Sequence, residues 1–294
     1  MRIFLAGATG AIGRHLVPLL LDAGHQVTGT SRTEAGTDRL RGSGADAVRV
    51  DALDPDGLRR AVAEAEPEAL MHQLTDLSGS DGAANSRLRE QGTRNLVDAA
   101  KAAGVRRIIA QSISWVYAPG EGPADESVPL DTGAEQPRGR TVAGVQALEE
   151  ASAELEQAVL LRYGILYGPG TWYAPGGALA AALAGDPGAR FLGSTEADDA
   201  VSSFLHVADA AGAAVAALDW PGGPVNIVDD EPARARDWLP VLAAALGVPA
   251  PKPSAGGGRP GWARGASNSL ACSRGWRPER PSWRSGFGDQ GGAA

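Results

Sequence analysis

The run Ile3-Phe4-Leu5-Ala6 leading into Gly7-Ala8-Thr9-Gly10-Ala11-Ile12-Gly13 constrains this chain more than any other segment. An apolar strand signal ends in a glycine-rich turn. A helical pattern follows, with Ile12, Leu16, Leu19 and Leu20 recurring at helical spacing before Gly24. A strand that feeds a helix through so tight a turn opens a βαβ unit, and its glycines let the backbone pass close to an anion. The helix N-terminus adds unpaired N–H groups and the positive end of its dipole. Glycine accounts for 40 of the 294 residues, so the letters alone are equally compatible with a ligand-free turn. The strand–turn–helix context makes Gly7, Thr9, Gly10, Ala11, Ile12 and Gly13 a candidate dinucleotide site.

The same alternation continues. Patterning predicts strands at 25–30, 47–50, 69–74, 107–112 and 159–164, and helices at 54–64, 82–103 and 141–155. Units of this length give a mainly parallel sheet with right-handed crossovers. The second half is less regular, with helices expected at 178–184, 207–218 and 233–246, a strand at 225–228 and a Pro/Gly-rich loop at 249–262. The expected organisation is a dinucleotide-binding domain over 1–167, joined by a returning segment at about 205–228. A smaller substrate-binding lobe takes 168–204 and 229–290.

Composition removes several alternatives. A net charge of -8 argues against nucleic acid as a partner. The single cysteine, Cys272, excludes an intrachain disulfide, and His15, His25, His72 and His206 lack metal-ligand spacing. No apolar run has the length of a membrane span and no basic leader opens the chain, so a cytoplasmic protein is expected, with monomer and homo-oligomer both open.

The end of the second strand bears on which dinucleotide is held. An NAD site usually places Asp or Glu there for the ribose 2′-hydroxyl. Here the residues are Thr30-Ser31-Arg32. A hydroxyl beside a planar, always-charged guanidinium suits a 2′-phosphate, so NADPH is expected, with Ser31 and Arg32 as its readers. The competing reading of Arg32 is a solvated loop residue.

Further segments fall into a recognisable series. They are Asp51-Ala52-Leu53-Asp54, Met71-His72-Gln73-Leu74, Gln91-Gly92-Thr93-Arg94-Asn95-Leu96 and Ser112-Ile113-Ser114-Trp115-Val116-Tyr117. Later come Leu161-Arg162-Tyr163-Gly164, Tyr167-Gly168-Pro169-Gly170, Leu205-His206-Val207-Ala208-Asp209 and Gly275-Trp276-Arg277-Pro278. With the glycine turn, this set resembles the extended short-chain dehydrogenase/reductases of the NAD-dependent epimerase/dehydratase type over almost the whole length. The resemblance implies an α/β Rossmann fold, a doubly wound and mainly parallel sheet with a smaller C-terminal lobe. It also implies cofactor contacts from Asp51 and Ala52 at the adenine, from Gln73 and Leu74 after the fourth strand, and from Tyr163 near the nicotinamide.

One part of the family pattern is missing. Its members use a Tyr four residues before a Lys, with a Ser or Thr on the fifth strand, as a proton relay. Here Tyr117, Tyr163, Tyr167 and Tyr173 are followed four residues later by Glu121, Tyr167, Thr171 and Gly177. With Glu149 in register, Thr141 stands for the Tyr, Val145 for the Lys and Ile113 for the Ser/Thr. The two lysines, Lys101 and Lys252, lie at a helix end and in a loop. No catalytic residue of the usual type is therefore expected. The remaining candidates for substrate contact are Ser112, Ser114, Trp115, Thr141, Trp172 and Tyr173, although serines on strands and aromatics in cores are common. His206 and Asp209 are expected to serve structure at the domain junction.

This combination also resembles the atypical angucyclinone ketoreductase type of the simocyclinone pathway. That resemblance implies NADPH-dependent reduction of a ketone on a polycyclic aromatic polyketide in antibiotic biosynthesis, with a phenol of the substrate assisting. Two alternatives stay open: a non-catalytic NADPH-binding sensor or scaffold, and a non-redox epimerase or dehydratase with bound dinucleotide.

Overall fold

The first strand, β1 (Arg2–Ala6), carries apolar side chains on both faces, and Ile3, Phe4, Leu5 and Ala6 are all essentially inaccessible to solvent. A strand of this kind can only sit in the middle of a sheet covered on both sides. The computed structural model describes residues 1–75, 82–192, 197–252, 271, 273–274 and 277–279. The remaining strands are β2 (Gln26–Ser31), β3 (Asp46–Arg49), β4 (Ala69–His72), β5 (Arg107–Ile113), β6 (Gln157–Tyr163), β7 (Ile165–Tyr167), β8 (Val201–Ser202), β9 (Phe204–His206), β10 (Gly223–Ile227) and β11 (Ala233–Arg234). The helices are α1 (Gly13–Asp22), α2 (Glu34–Gly42), α3 (Pro55–Ala65), α4 (Gly82–Arg87), α5 (Thr93–Ala102), α6 (Arg138–Ser152), α7 (Ala178–Leu183), α8 (Val207–Ala216) and α9 (Ala235–Ala245).

Seven strands form one parallel sheet in the order β10-β6-β5-β4-β1-β2-β3. Alternate side chains of β1 divide the core. Ile3 and Leu5 join Leu16 and Leu20 of α1 and the alanines of α8, while Phe4 and Ala6 join Leu58 of α3, Leu96 and Val97 of α5 and Leu148 of α6. The chain runs outward from β1 through β2 to β3, then returns to the other side of β1 as β4. This reversal opens a crevice at the carboxyl ends of β1 and β4, where ligands of doubly wound sheets bind.

Several elements differ from the expectation. The helix α2 was not anticipated: Leu40 is the only large apolar side chain it buries, so the periodic signal is weak. Its local signal is the Thr33 cap, whose hydroxyl accepts the Gly36 N–H at 3.2 Å. The helix expected over 82–103 is α4 and α5 joined by a π turn at Leu88–Gly92. The fourth strand ends at His72, two residues early. Beyond β6, β7 pairs with β9 and β8 with β11 in two small sheets. Phe204, Tyr167, Leu179 and α9 pack together beside them. The strands of these sheets are two or three residues long, too short to leave a periodic trace. Residues 253–262 of the expected loop, with Gly275 and Trp276, lie outside the described residues. Among the described residues no helix is long and apolar enough to cross a membrane.

Phe204 is fully buried, with ring centroids 5.1 Å from Trp238, 5.9 Å from Tyr173 and 6.3 Å from Tyr167. Phe204→Ala is expected to lower stability by about 3–5 kcal/mol through the cavity left behind, read as a shift of the urea midpoint.

Candidate active site

The glycine turn is built on close backbone contact. Gly7 has φ +92°, and a Cβ placed on it would lie 2.3 Å from the carbonyl oxygen of Gln73 at the end of β4. A Cβ on Gly13 would lie 2.3 Å from the Gly7 oxygen and 2.5 Å from that of Ala8. Only glycine fits at either position. The Gly10 N–H donates to the Gly7 carbonyl at 3.0 Å, folding Thr9, Gly10 and Ala11 into the outer rim of the turn. Ile12 precedes α1 without a side-chain cap, and the first turn carries no acidic residue. That leaves the helix N-terminus suited to an anion.

At the end of β2, Ser31 is committed locally. Its hydroxyl accepts the Thr33 N–H and donates to the Thr33 carbonyl, each at 3.1 Å. The hydroxyl expected beside the 2′-phosphate is thus engaged in a turn with Thr33. Arg32 is exposed beside it. Asp51 accepts the Leu53 N–H at 2.9 Å, and the Ala52 carbonyl accepts from Asn95 at 2.9 Å, which ties the adenine-side loop to α5.

After β4, His72 is fully buried. Its Nδ1 accepts the Leu74 N–H at 3.2 Å, so Nε2 carries the proton toward Thr93 Oγ1 at 2.8 Å. Burial, reinforced by the charge of Arg89, pulls its pKa down to about 4, so it is neutral at physiological pH. Gln73 is 5% exposed, and its amide lies against the Tyr163 hydroxyl.

The relay position is apolar. Ile113 and Val145 belong to one buried cluster with Val116 and Val142. Thr141 is half-buried one helical turn before Val145. The polar groups nearby are already engaged. Ser112 donates to Glu149 at 2.6 Å, and Arg162 reaches both Glu149 oxygens at 2.9 and 2.7 Å. Arg162 also donates to the Tyr117 hydroxyl at 3.0 Å, which in turn donates to Asn226 at 2.5 Å. Burial pushes the Tyr117 phenol up to about 12, against the opposing pull of Arg162. For Arg162, burial alone would lower the pKa, but its bonds to Glu149 and the carboxylate charge outweigh this and raise it. Ser112 is therefore a strand-to-helix hydrogen-bonder and not a free donor for substrate. Sequence reading registered Glu149 as a marker of alignment and missed it as the centre of this network.

Tyr163 is buried, its hydroxyl donating to the Ala210 carbonyl of α8 at 3.3 Å and meeting the Gln73 amide after β4. Tyr173 packs against Phe204 and Trp238, and burial pushes its phenol up to about 12. Ser114 is buried and Trp172 half-buried; Trp115 stays exposed, its carbonyl held by Arg138 at 2.8 Å. His206 serves structure, with Nδ1 accepting the Ala208 N–H at 3.1 Å to cap α8. Lys101 pairs with Glu154 at the surface.

The model of the NAD dependent epimerase/dehydratase family matches residues 3–227. The chain belongs to that family. It is 44% identical to a 3-diazoavenalumate denitrifying reductase from Streptomyces sp, over 98% of this chain and 99% of that protein. It is 30% identical to the 2-alkyl-3-oxoalkanoate reductase of Stenotrophomonas maltophilia, over 85% of this chain and 77% of that protein. Among solved structures, the UDP-glucose 4-epimerase of Thermus thermophilus in complex with NAD superposes with a TM-score of 0.76 at 26% identity, covering 100% of both chains. The residues present fit the family's dinucleotide. The backbone turns so tightly at Gly7 and Gly13 that any side chain would clash with it, α1 begins without a side-chain cap or an acidic first turn, and the Gln73 amide sits at the β1–β4 crevice.

Glu149→Ala is expected to cost about 3–5 kcal/mol in urea unfolding, because it leaves the Arg162 guanidinium buried and uncompensated. Recovery of much of that loss in Arg162→Met/Glu149→Leu would identify the lone charge as the cause.

Proposed function

We propose that this chain is an NADPH-dependent reductase that replaces an aromatic diazo group with hydrogen. The observation that carries the proposal is an intact dinucleotide cradle beside a relay position filled by Ile113 and Val145. The 44% identity to a denitrifying reductase of a diazo compound supports the substrate class. Ketone reduction consumes a hydride and a proton, and the developing alkoxide needs a donor. Replacement of a diazonium group consumes a hydride alone. A C–H bond forms, the C–N bond breaks, and its electron pair leaves with dinitrogen. No alkoxide develops and no proton is needed at the reacting carbon, so a Tyr–Lys relay would have nothing to do.

The cradle at Gly7, Gly10 and Gly13 and the N-terminus of α1 would hold the pyrophosphate. Gln73 and Leu74 would line the dinucleotide, which when bound supplies the hydride. The apolar packing of Ile113, Val116, Val142 and Val145 excludes water from that side. Exclusion matters because water competes for an arenediazonium carbon. Arg32 at the end of β2, where no carboxylate stands, supports NADPH over NADH.

A second reading is favoured by the likeness to a 3-oxoalkanoate reductase. It is reduction of a ketone on a polycyclic aromatic, angucyclinone-type polyketide in antibiotic biosynthesis, with a neighbouring phenol of the substrate sharing the charge.

Incubating the purified protein with NADPH and a hydroxyaryl diazonium acid separates the two. The expected result is one dinitrogen released per NADPH oxidised, with deuterium from C4-labelled NADPH on the former diazo carbon. NADPH oxidation with a hydroxylated polycyclic ketone and none with the diazo acid would establish the second reading instead. Thr141→Val is expected to escape the loss of about 100-fold or more that removal of a general acid produces. Arg32→Ala is expected to weaken NADPH binding about tenfold or more while leaving NADH binding unchanged, as titrated by fluorescence. An unchanged preference removes Arg32 as the 2′-phosphate reader.

A further inference from the structure

One buried cation has no role in the network above. Arg89 lies on the π turn between α4 and α5 and is 9% exposed. Its Cβ is 3.7 Å from where a side chain on Gly144 would begin. Gly144 is the neighbour, on α6, of Val145, where the family pattern has lysine. The charge of Arg89 reaches His72 at the carboxyl end of β4 and helps to hold that ring neutral. His72 cannot answer it, since both ring nitrogens are engaged with Leu74 and Thr93. Among the described residues no carboxylate pairs with Arg89 and no hydrogen bond meets its guanidinium. Burial alone draws its pKa down, to about 10, which leaves it charged at neutral pH.

The contrast with Arg162 is informative. That arginine is equally enclosed and meets a bidentate carboxylate and a phenol. A largely buried charge that no protein group pairs is costly, and a strongly perturbed group of this kind is a candidate for a functional site. The π turn adds a second observation. Such insertions interrupt regular helix and concentrate at functional positions. Here Gly92 closes the turn, and a Cβ on it would come 2.9 Å from Leu88 Cδ1.

We propose that Arg89 is a substrate-binding residue whose guanidinium pairs with an oxyanion of an aromatic substrate, a carboxylate or an ionised ring hydroxyl, on the side of the cleft where the family's lysine would stand. The inference rests on reading the cleft as that of a reductase for an aromatic acid, and its test does not depend on turnover. The cation in this reading stands on the element facing α6, and its planar fork suits a carboxylate or phenolate better than an ammonium would.

The test titrates NADP+-loaded protein by calorimetry with 4-hydroxycinnamate, its methyl ester and 4-methoxycinnamate. In Arg89→Met the affinity for 4-hydroxycinnamate is expected to fall about 10- to 100-fold, with partial recovery in Arg89→Lys. In the unsubstituted protein, weakened binding of the ester identifies the carboxylate as the partner, and weakened binding of the ether identifies the ring oxygen. Affinity for NADP+ is expected to be unchanged. The melting temperature of Arg89→Met without ligands is expected to be equal or higher, since an uncompensated charge has been removed. Unchanged hydroxycinnamate affinity, no binding of any probe by the unsubstituted protein, loss of NADP+ affinity instead, or a lowered melting temperature would each overturn the proposal. Arg89-dependent binding without dinitrogen release would sink the diazo reading and leave this one standing.

Discussion

The contact between the backbones of Gly7 and Gln73 underlies everything at this site. β1 and β4 are neighbours, and the chain leaves them in opposite directions. Their carboxyl ends can form a crevice only if the turn after β1 passes across the end of β4 at a distance no side chain permits. Gly13 meets the same restriction one step later, where α1 starts against the turn. The crevice, the exposed helix N-terminus and the placement of Gln73 follow from these two close approaches.

Around that frame the polar groups fall into two kinds. Those of the Ser112–Glu149–Arg162–Tyr117–Asn226 network saturate one another and join β5, α6, β6 and β10. They hold the sheet edge rigid and leave nothing over for a ligand. Among the described residues, two groups that stand apart from that network are the Gln73 amide, beside the Tyr163 hydroxyl, and the Arg89 guanidinium. Neither is a proton donor with a pKa near neutrality. On the proposed reading, a cleft so equipped orients and holds charge and delivers no proton at the reacting atom. That restriction favours reactions whose electron balance closes without one.

The fold was legible because a doubly wound sheet writes itself in alternating apolar runs and glycine stops. β1, α1, α3 and β5 were all visible in that way. α2 was not, because a surface helix that buries one leucine has little period to detect. The short strands β7, β8 and β9 depend on pairing with distant residues, which no local pattern encodes. At the site, the glycines were readable since their requirement is local. The lack of a Tyr-x-x-x-Lys spacing is itself a fact of the sequence. The engagement of Ser112 and Tyr173 was not legible for one reason. Position along the chain tells which edge of the sheet a residue reaches, but not whether Glu149 or Trp238 already packs or bonds with it. Arg89 was missed for the converse reason. In a straight helix over 82–103 an arginine reads as solvated, and it is the π turn and the bare Gly144 opposite that enclose it.

The two buried arginines show how one cleft can change its chemistry without changing its fold. Arg162 belongs to the sheet, and its charge is cancelled by Glu149 from α6. Val145 on the same helix packs against Ile113 in an apolar cluster. On the proposed reading, Arg89 supplies a positive charge from the facing element. The new cation is fixed, planar and unable to relay a proton. If Arg89 binds the substrate as proposed, charge for binding and acid for catalysis, which a Tyr–Lys pair combines, are separate in this cleft. A reductase acting on a substrate that is both anionic and activated by its own leaving group needs the first and has no use for the second.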